Sequence, residues 1–100
     1  MQAKIIIKRK FIKGKQREII ALLRELRSGA LNQPGYISGE TLTSTEDPRT
    51  MMVIGTWQDM ESWYSWKRNT TRQTLEQMLE TYQEGSTEYQ EYKLGTFTED

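Results

Sequence analysis

Asn32–Thr56 reads NQPGYISGETLTSTEDPRTMMVIGT. Pro34 cannot continue a helical ladder and Gly35 tolerates positive φ, so Asn32-Gln33-Pro34-Gly35 closes whatever helix precedes it. Tyr36 to Ser44 is rich in β-formers and carries Ile37 and Leu42. Glu46-Asp47-Pro48-Arg49 is a strong turn, and Met51 to Thr56 is an apolar strand. The stretch therefore predicts a β-hairpin. What lies on either side of that hairpin sets the fold.

Upstream, Lys4 to Ile12 predicts a strand with Ile5, Ile7 and Phe11 on one face and Ile6 and Ile12 on the other. Gly14 breaks it. From Lys15 to about Ala30, the residues Ile19, Leu22, Leu23, Leu26 and Ala30 recur at helical spacing, with Ile20 widening the stripe. Downstream, Asp59 can cap a short helix carrying Trp63 and Trp66. Asn69 or Thr70 can cap another, with Leu75, Met78, Leu79 and Tyr82 as a narrow apolar stripe, and Gly85 closes it. Glu88 to Phe97 alternates aromatic and polar residues as a last strand. The order is βαββαβ in one domain spanning residues 1–100, with no internal repeat or linker. This predicts an α+β, ferredoxin-like fold, a four-stranded antiparallel sheet with helices on one face. The bare face would carry Ile6, Ile12, part of the Met51–Ile54 run and part of the Tyr89/Tyr92/Leu94 set. Apolar surface of that extent calls for a partner, and a second copy packed sheet to sheet is the economical one. A homodimer is expected.

Composition restricts the chemistry. The 100 residues contain three tryptophans within ten positions, Trp57, Trp63 and Trp66, but no histidine and no cysteine. Imidazole proton shuttles, thiol nucleophiles and the best soft metal ligands are excluded. The carboxylates show no calcium-loop spacing, so no metal is expected. Met51, Met52 and Met78 read as adaptable core filler, and Met60, at a helix start, as exposed. Net charge is zero, yet residues 1–17 hold seven basic side chains and no acid, while residues 76–100 hold seven acids and one lysine. A basic segment can bind nucleic acid. The simpler reading places Lys4, Lys8 and Lys10 on a strand across from Glu88 and Glu91, and no nucleic-acid motif accompanies the charge. No nucleic-acid partner is expected. The longest apolar run, Ile19 to Leu23, is too short to span a bilayer, and no signal-peptide core follows the first lysines. A cytoplasmic protein with no membrane partner is expected, in which the glycosylation-like Asn69-Thr70-Thr71 has no role.

Pro34-Gly35-Tyr36-Ile37-Ser38-Gly39-Glu40-Thr41-Leu42, then Gly55-Thr56-Trp57-Gln58, Trp63 and Trp66-Lys67, resemble the antibiotic biosynthesis monooxygenase family of dimeric α+β barrel proteins. The resemblance covers essentially the whole chain. It implies a cofactor-independent monooxygenase, an oxidoreductase acting on a phenolic, quinol or polyketide-like aromatic with dioxygen. The haem-degrading branch of that superfamily also has the helical tryptophan, at Trp66, but uses a first-strand asparagine and a later histidine. Those positions here are Ile7 and about Glu76, which points away from haem. Without a cofactor the substrate supplies the electrons, and the protein binds a flat aromatic, favours its anion and excludes water. Trp66 and Arg72 are the catalytic candidates. Trp57, Tyr36, Asn32 and Arg9 are the substrate-binding candidates, the tryptophan as a stacking wall, Arg9 beside a phenolate, and Tyr36 and Asn32 as donors at the pocket mouth. Each residue has a plainer role available: Trp57 and Trp63 as core, Trp66 as packing, and Arg9 and Arg72 as surface charges. The alternative function is a non-catalytic dimer that binds a small aromatic ligand, favoured by the want of an evident proton acceptor.

Overall fold

The computed structural model describes residues 1–97, so the last three residues of the expected domain lie outside the described residues. The elements are β1 (Ala3–Lys10), α1 (Gln16–Leu31), β2 (Tyr36–Thr43), β3 (Thr50–Trp57), α2 (Met60–Lys67), α3 (Thr70–Glu80) and β4 (Glu88–Lys93). The four strands form one antiparallel sheet in the order β2-β3-β1-β4. This is the ferredoxin-like α+β arrangement, with two short helices in the second helical segment. Asp59 starts α2 by accepting a 2.8 Å bond from the Ser62 amide. Asn69 restarts the chain as α3 by accepting from the Arg72 amide at 3.2 Å.

β1 sets the layering. Ala3, Ile5, Ile7, Arg9 and Phe11 are buried against the helices, whereas Lys4, Ile6, Lys8, Lys10 and Ile12 are only partly covered. The period of two passes across the sheet through the register. Ile5 lies opposite Gly55 and Glu91, and Ile7 opposite Val53 and Tyr89, so all four partners face the helices. On the other face Ile6 lies opposite Ile54, and Leu42 opposite Met52. From the helix layer, Ile19, Leu22, Leu26, Trp63, Trp66, Leu75 and Leu79 complete the core.

Four expectations need correction. β4 stops at Lys93, not Phe97; Leu94 and Phe97 are exposed, and Gly95 takes φ 147°. Met78 is 50% exposed, because the inward stripe of α3 is Arg72, Leu75, Glu76 and Leu79 and leaves position 78 outside. Met60 packs, partly buried, against the core. The charge pairing also differs. Lys8 does sit opposite Glu88, but Glu91 shares a face with Ile5 and bonds Lys67, while Lys10 pairs with Asp47 and Glu84.

Candidate functional site

Between α1 and the β2–β3 half of the sheet lies a cavity of about 250 Å³. Gly39 and Gly55 are directly opposed on β2 and β3, facing the helices. Two missing side chains side by side leave room at the cavity floor for the Tyr36 hydroxyl over Gly39 and the Trp57 ring edge beside Gly55. Ile5, Val53 and Leu26 add apolar walls, and Trp57, Trp63 and Trp66 supply aromatic ones. Ile20, Arg24, Arg27 and Thr41 line the cavity and are themselves exposed, so they mark its mouth between α1 and β2. Ile20, expected to widen the core stripe of α1, is 46% exposed there.

Glycines make room for the aromatic walls. A Cβ at Gly29 of α1 would lie 2.6 Å from the Trp66 ring, so that helix must be bare where the indole tucks beneath it. A Cβ at Gly39 would lie 2.6 Å from the Tyr36 hydroxyl, which therefore reaches over the floor. Tyr36 stands edge-on to Trp57, with centroids 5.2 Å apart at 84°. Trp63 is held differently. Its indole N–H donates to Glu91 at 2.6 Å, and this bond keeps the Glu91 carboxyl below its ordinary range, with Lys67 adding to the effect and desolvation opposing it.

The inner end of the cavity is charged. Arg9 and Arg72 both line it and are 4% and 3% exposed. Arg9 forms a buried ion pair with Glu76. Arg72 donates to the Tyr89 hydroxyl at 3.0 Å, and that hydroxyl donates to Glu76 at 3.3 Å; Thr87 adds a bond to Glu76 at 3.2 Å. The Arg72 guanidinium also lies 5.3 Å and 5.5 Å from the Trp63 and Tyr89 ring centroids. Burial raises the Tyr89 phenol, so it stays protonated as the link between Arg72 and Glu76. The network contains two guanidinium groups and one carboxylate. It leaves Nε of both arginines buried without a hydrogen-bond partner, and such orphans require an explanation.

Of the residues expected at the site from sequence, Trp66, Arg72, Trp57, Tyr36 and Arg9 all come together around this cavity. Asn32 does not. It is exposed at the end of α1, with its amide donating to the Ser28 carbonyl at 3.1 Å. The plain reading of Arg9 and Arg72 as surface charges is overturned by their burial. Sequence reasoning did not foresee the arginine-holding role of Glu76 or the part played by Tyr89, Gly39 and Gly55. For Glu76 a signal existed: it completes an i, i+3, i+4, i+7 pattern with Arg72, Leu75 and Leu79. Among the described residues, no three His, Cys, Asp or Glu side chains gather as a metal-binding group.

The model of one family, Antibiotic biosynthesis monooxygenase, matches residues 3–84. The chain belongs to the antibiotic biosynthesis monooxygenase family. Solved structures carry the same fold at low identity. A conserved protein from Methanosarcina mazei Go1 superposes with a TM-score of 0.86 at 19% identity, covering 93% of this chain and 92% of that one. A variant of SnoaB, a cofactor-independent oxygenase from Streptomyces nogalater, gives 0.82 at 13%, covering 98% of both chains. Protein SO0527 from Shewanella oneidensis gives 0.78 at 21%, over 91% and 88%. No curated protein matches in sequence. Within the antibiotic biosynthesis monooxygenase fold of this chain, the cavity lies under α1, on the helix side of the sheet.

Proposed function

We propose that this family member is a cofactor-independent monooxygenase acting on a planar phenolic, quinol or polyketide-like aromatic bound as its anion. The observation that carries the reading is the pairing of an aromatic-walled cavity over the opposed Gly39 and Gly55 with two buried arginines only half neutralised by one carboxylate. A planar ring system lies on the floor, against Trp57 and Trp66. Its acidic oxygen meets Arg9 and Arg72, which favour the ionised form and so raise the electron-donating power of the ring. An anthrone illustrates the balance. Its enolate gives one electron to dioxygen, and the radical pair joins as a carbon–oxygen bond. The peroxide takes a proton from water. Loss of the remaining C–H proton then breaks the O–O bond and expels hydroxide, so that CH2 and O2 become C=O and H2O. The substrate supplies every electron. The protein's work is orientation, anion stabilisation and shielding.

Among the described residues no carboxylate lines the cavity, and Glu76 is engaged by Arg9 and Tyr89. That observation favours a second reading, a binder of aromatic anions without turnover. Either form would work as a homodimer joined through the bare sheet face. Oxygen uptake with a panel of anthrones and hydroquinones separates the two. Uptake of one dioxygen per anthrone, abolished in Trp66→Phe combined with Arg72→Ala, is the expected result. Saturable quenching of tryptophan fluorescence across the panel without uptake would establish the binder instead.

A further inference from the structure

The charge lining the cavity extends beyond what one phenolate needs. Arg24 and Arg27 stand at the mouth, and with Arg9 and Arg72 they make four arginines among the lining residues, with no acid among the described ones. The helix that supplies the outer pair is sided. Arg17, Ile20, Arg24, Arg27 and Leu31 recur at i, i+3, i+7, i+10 and i+14, which is one flank of α1. Three of these five, Ile20, Arg24 and Arg27, line the mouth. Glu18 and Glu25 lie on the opposite flank, away from the cations. The ion pairs among the described residues use Arg9, Lys10, Arg49 and Lys67 as cations, so Arg24 and Arg27 enter none of them.

We infer that the cavity takes a planar aromatic bearing two anionic oxygen groups at opposite ends, the inner one at Arg9 and Arg72 and a carboxylate or phosphate at Arg24 and Arg27. This rests on the reading of the cavity as a site for a planar aromatic anion, and it specifies the substrate class. The inner network already contains one carboxylate, so a single inner anion brings its formal charge to zero. Among the described residues the outer pair has no such counter-charge, and it presents two forked donors to whatever projects from the mouth. Ile20, one turn before Arg24 on the same flank, adds an apolar contact at the mouth.

The test uses tryptophan quenching by a hydroxynaphthoic acid whose hydroxyl and carboxyl groups lie at opposite ends of the rings, by its methyl ester, and by the phosphate of the same skeleton. The acid or the phosphate should bind about tenfold more tightly than the ester, and the stronger of the two identifies the outer group. The gap should shrink with added salt, because the rim is exposed. Arg24→Ala with Arg27→Ala should bring the charged ligand down to the ester. Alanine is the best helix former and these side chains hold no ion pair, so the double variant is expected to fold. Equal affinities in the wild type, or a gap that survives in the double variant, would overturn the inference while leaving the aromatic site intact. If the ester itself fails to quench, the underlying reading falls with it.

Discussion

Glu76 shows how a single side chain can tune a cavity it does not line. Its side chain is 9% exposed and that of Arg9 3%, so both ions have lost most of their hydration and depend on each other. Truncating one partner of such a pair costs about 3–5 kcal/mol, because the survivor is left buried and unpaired. Glu76→Gln should therefore lower the stability of the protein by roughly 3 kcal/mol in urea unfolding. A loss below about 1 kcal/mol would mean that water in the cavity already solvates Arg9 and that the pair adds little. Gly29 raises the opposite question, of too much volume. Gly29→Ala would gain up to about 1 kcal/mol of helix propensity. Against that, the new methyl would sit 2.6 Å from a rigid indole, and overpacking costs about 1–3 kcal/mol. The steric term should win. The variant should melt below the wild type and bind aromatic ligands more weakly, because the displaced Trp66 is itself a cavity wall; an unchanged or higher melting temperature would refute the fit between Gly29 and Trp66.

At the scale of elements, β4 is tied to α2 by the bond from Trp63 to Glu91. The Glu91 carboxyl is held below its ordinary value first by that N–H, so its contribution to stability is present above the unfolded-state value and is lost as pH falls through the folded one. With glutamate in unfolded chains near pH 4.3, the contribution should be complete above about pH 5 and fade below about pH 4. Glu91→Gln keeps an acceptor for Trp63 but removes the proton linkage. Its stability should therefore fall less steeply in acid than that of the wild type; Asp47, Asp59 and Glu84, lowered in the same direction, supply the slope that remains. Superimposable acid limbs would show that the bond adds no linkage. The elements themselves were legible because their marks are local: the period of two in β1, Pro34-Gly35 before β2, and the Asp59 and Asn69 caps. The site was half legible. Trp57, Trp66, Tyr36, Arg9 and Arg72 were singled out with the family resemblance, whereas the burial of Arg9, between Ile7 and Phe11 on a buried face, and the part of Glu76, on the inner stripe of α3, were masked because charge reads as surface. The cavity floor could not be read at all. It exists only because the register sets Gly39 against Gly55, after an irregularity between Tyr36 and Ser38 that no local pattern marks.

The whole molecule is a slab, 47 × 30 × 19 Å, with one layer of helices and one of strands. A two-layer fold leaves one sheet face without cover, and here that face is apolar at its centre. Ile6 opposes Ile54 and Leu42 opposes Met52, while Lys4, Lys8, Lys10, Glu40 and Glu88 surround them. Leu42 is 44% exposed and Tyr92 53%. Charges of both signs around an apolar centre suit a surface that pairs with its own copy, since a two-fold axis brings each patch onto itself. A dimer should accordingly appear in sedimentation velocity, and Leu42→Lys should convert it to a folded monomer. That position is exposed in the single chain, so the substitution costs little stability of its own, and an unchanged far-ultraviolet circular dichroism spectrum would verify the fold. Ile54→Lys, closer to the centre of the patch, should dissociate the dimer more completely. A wild type that sediments as a monomer at every accessible concentration would show that this face meets another partner or water. A Leu42→Lys dimer that survives unchanged would move the interface elsewhere, to the Arg-rich flank of α1 or the edge of β4.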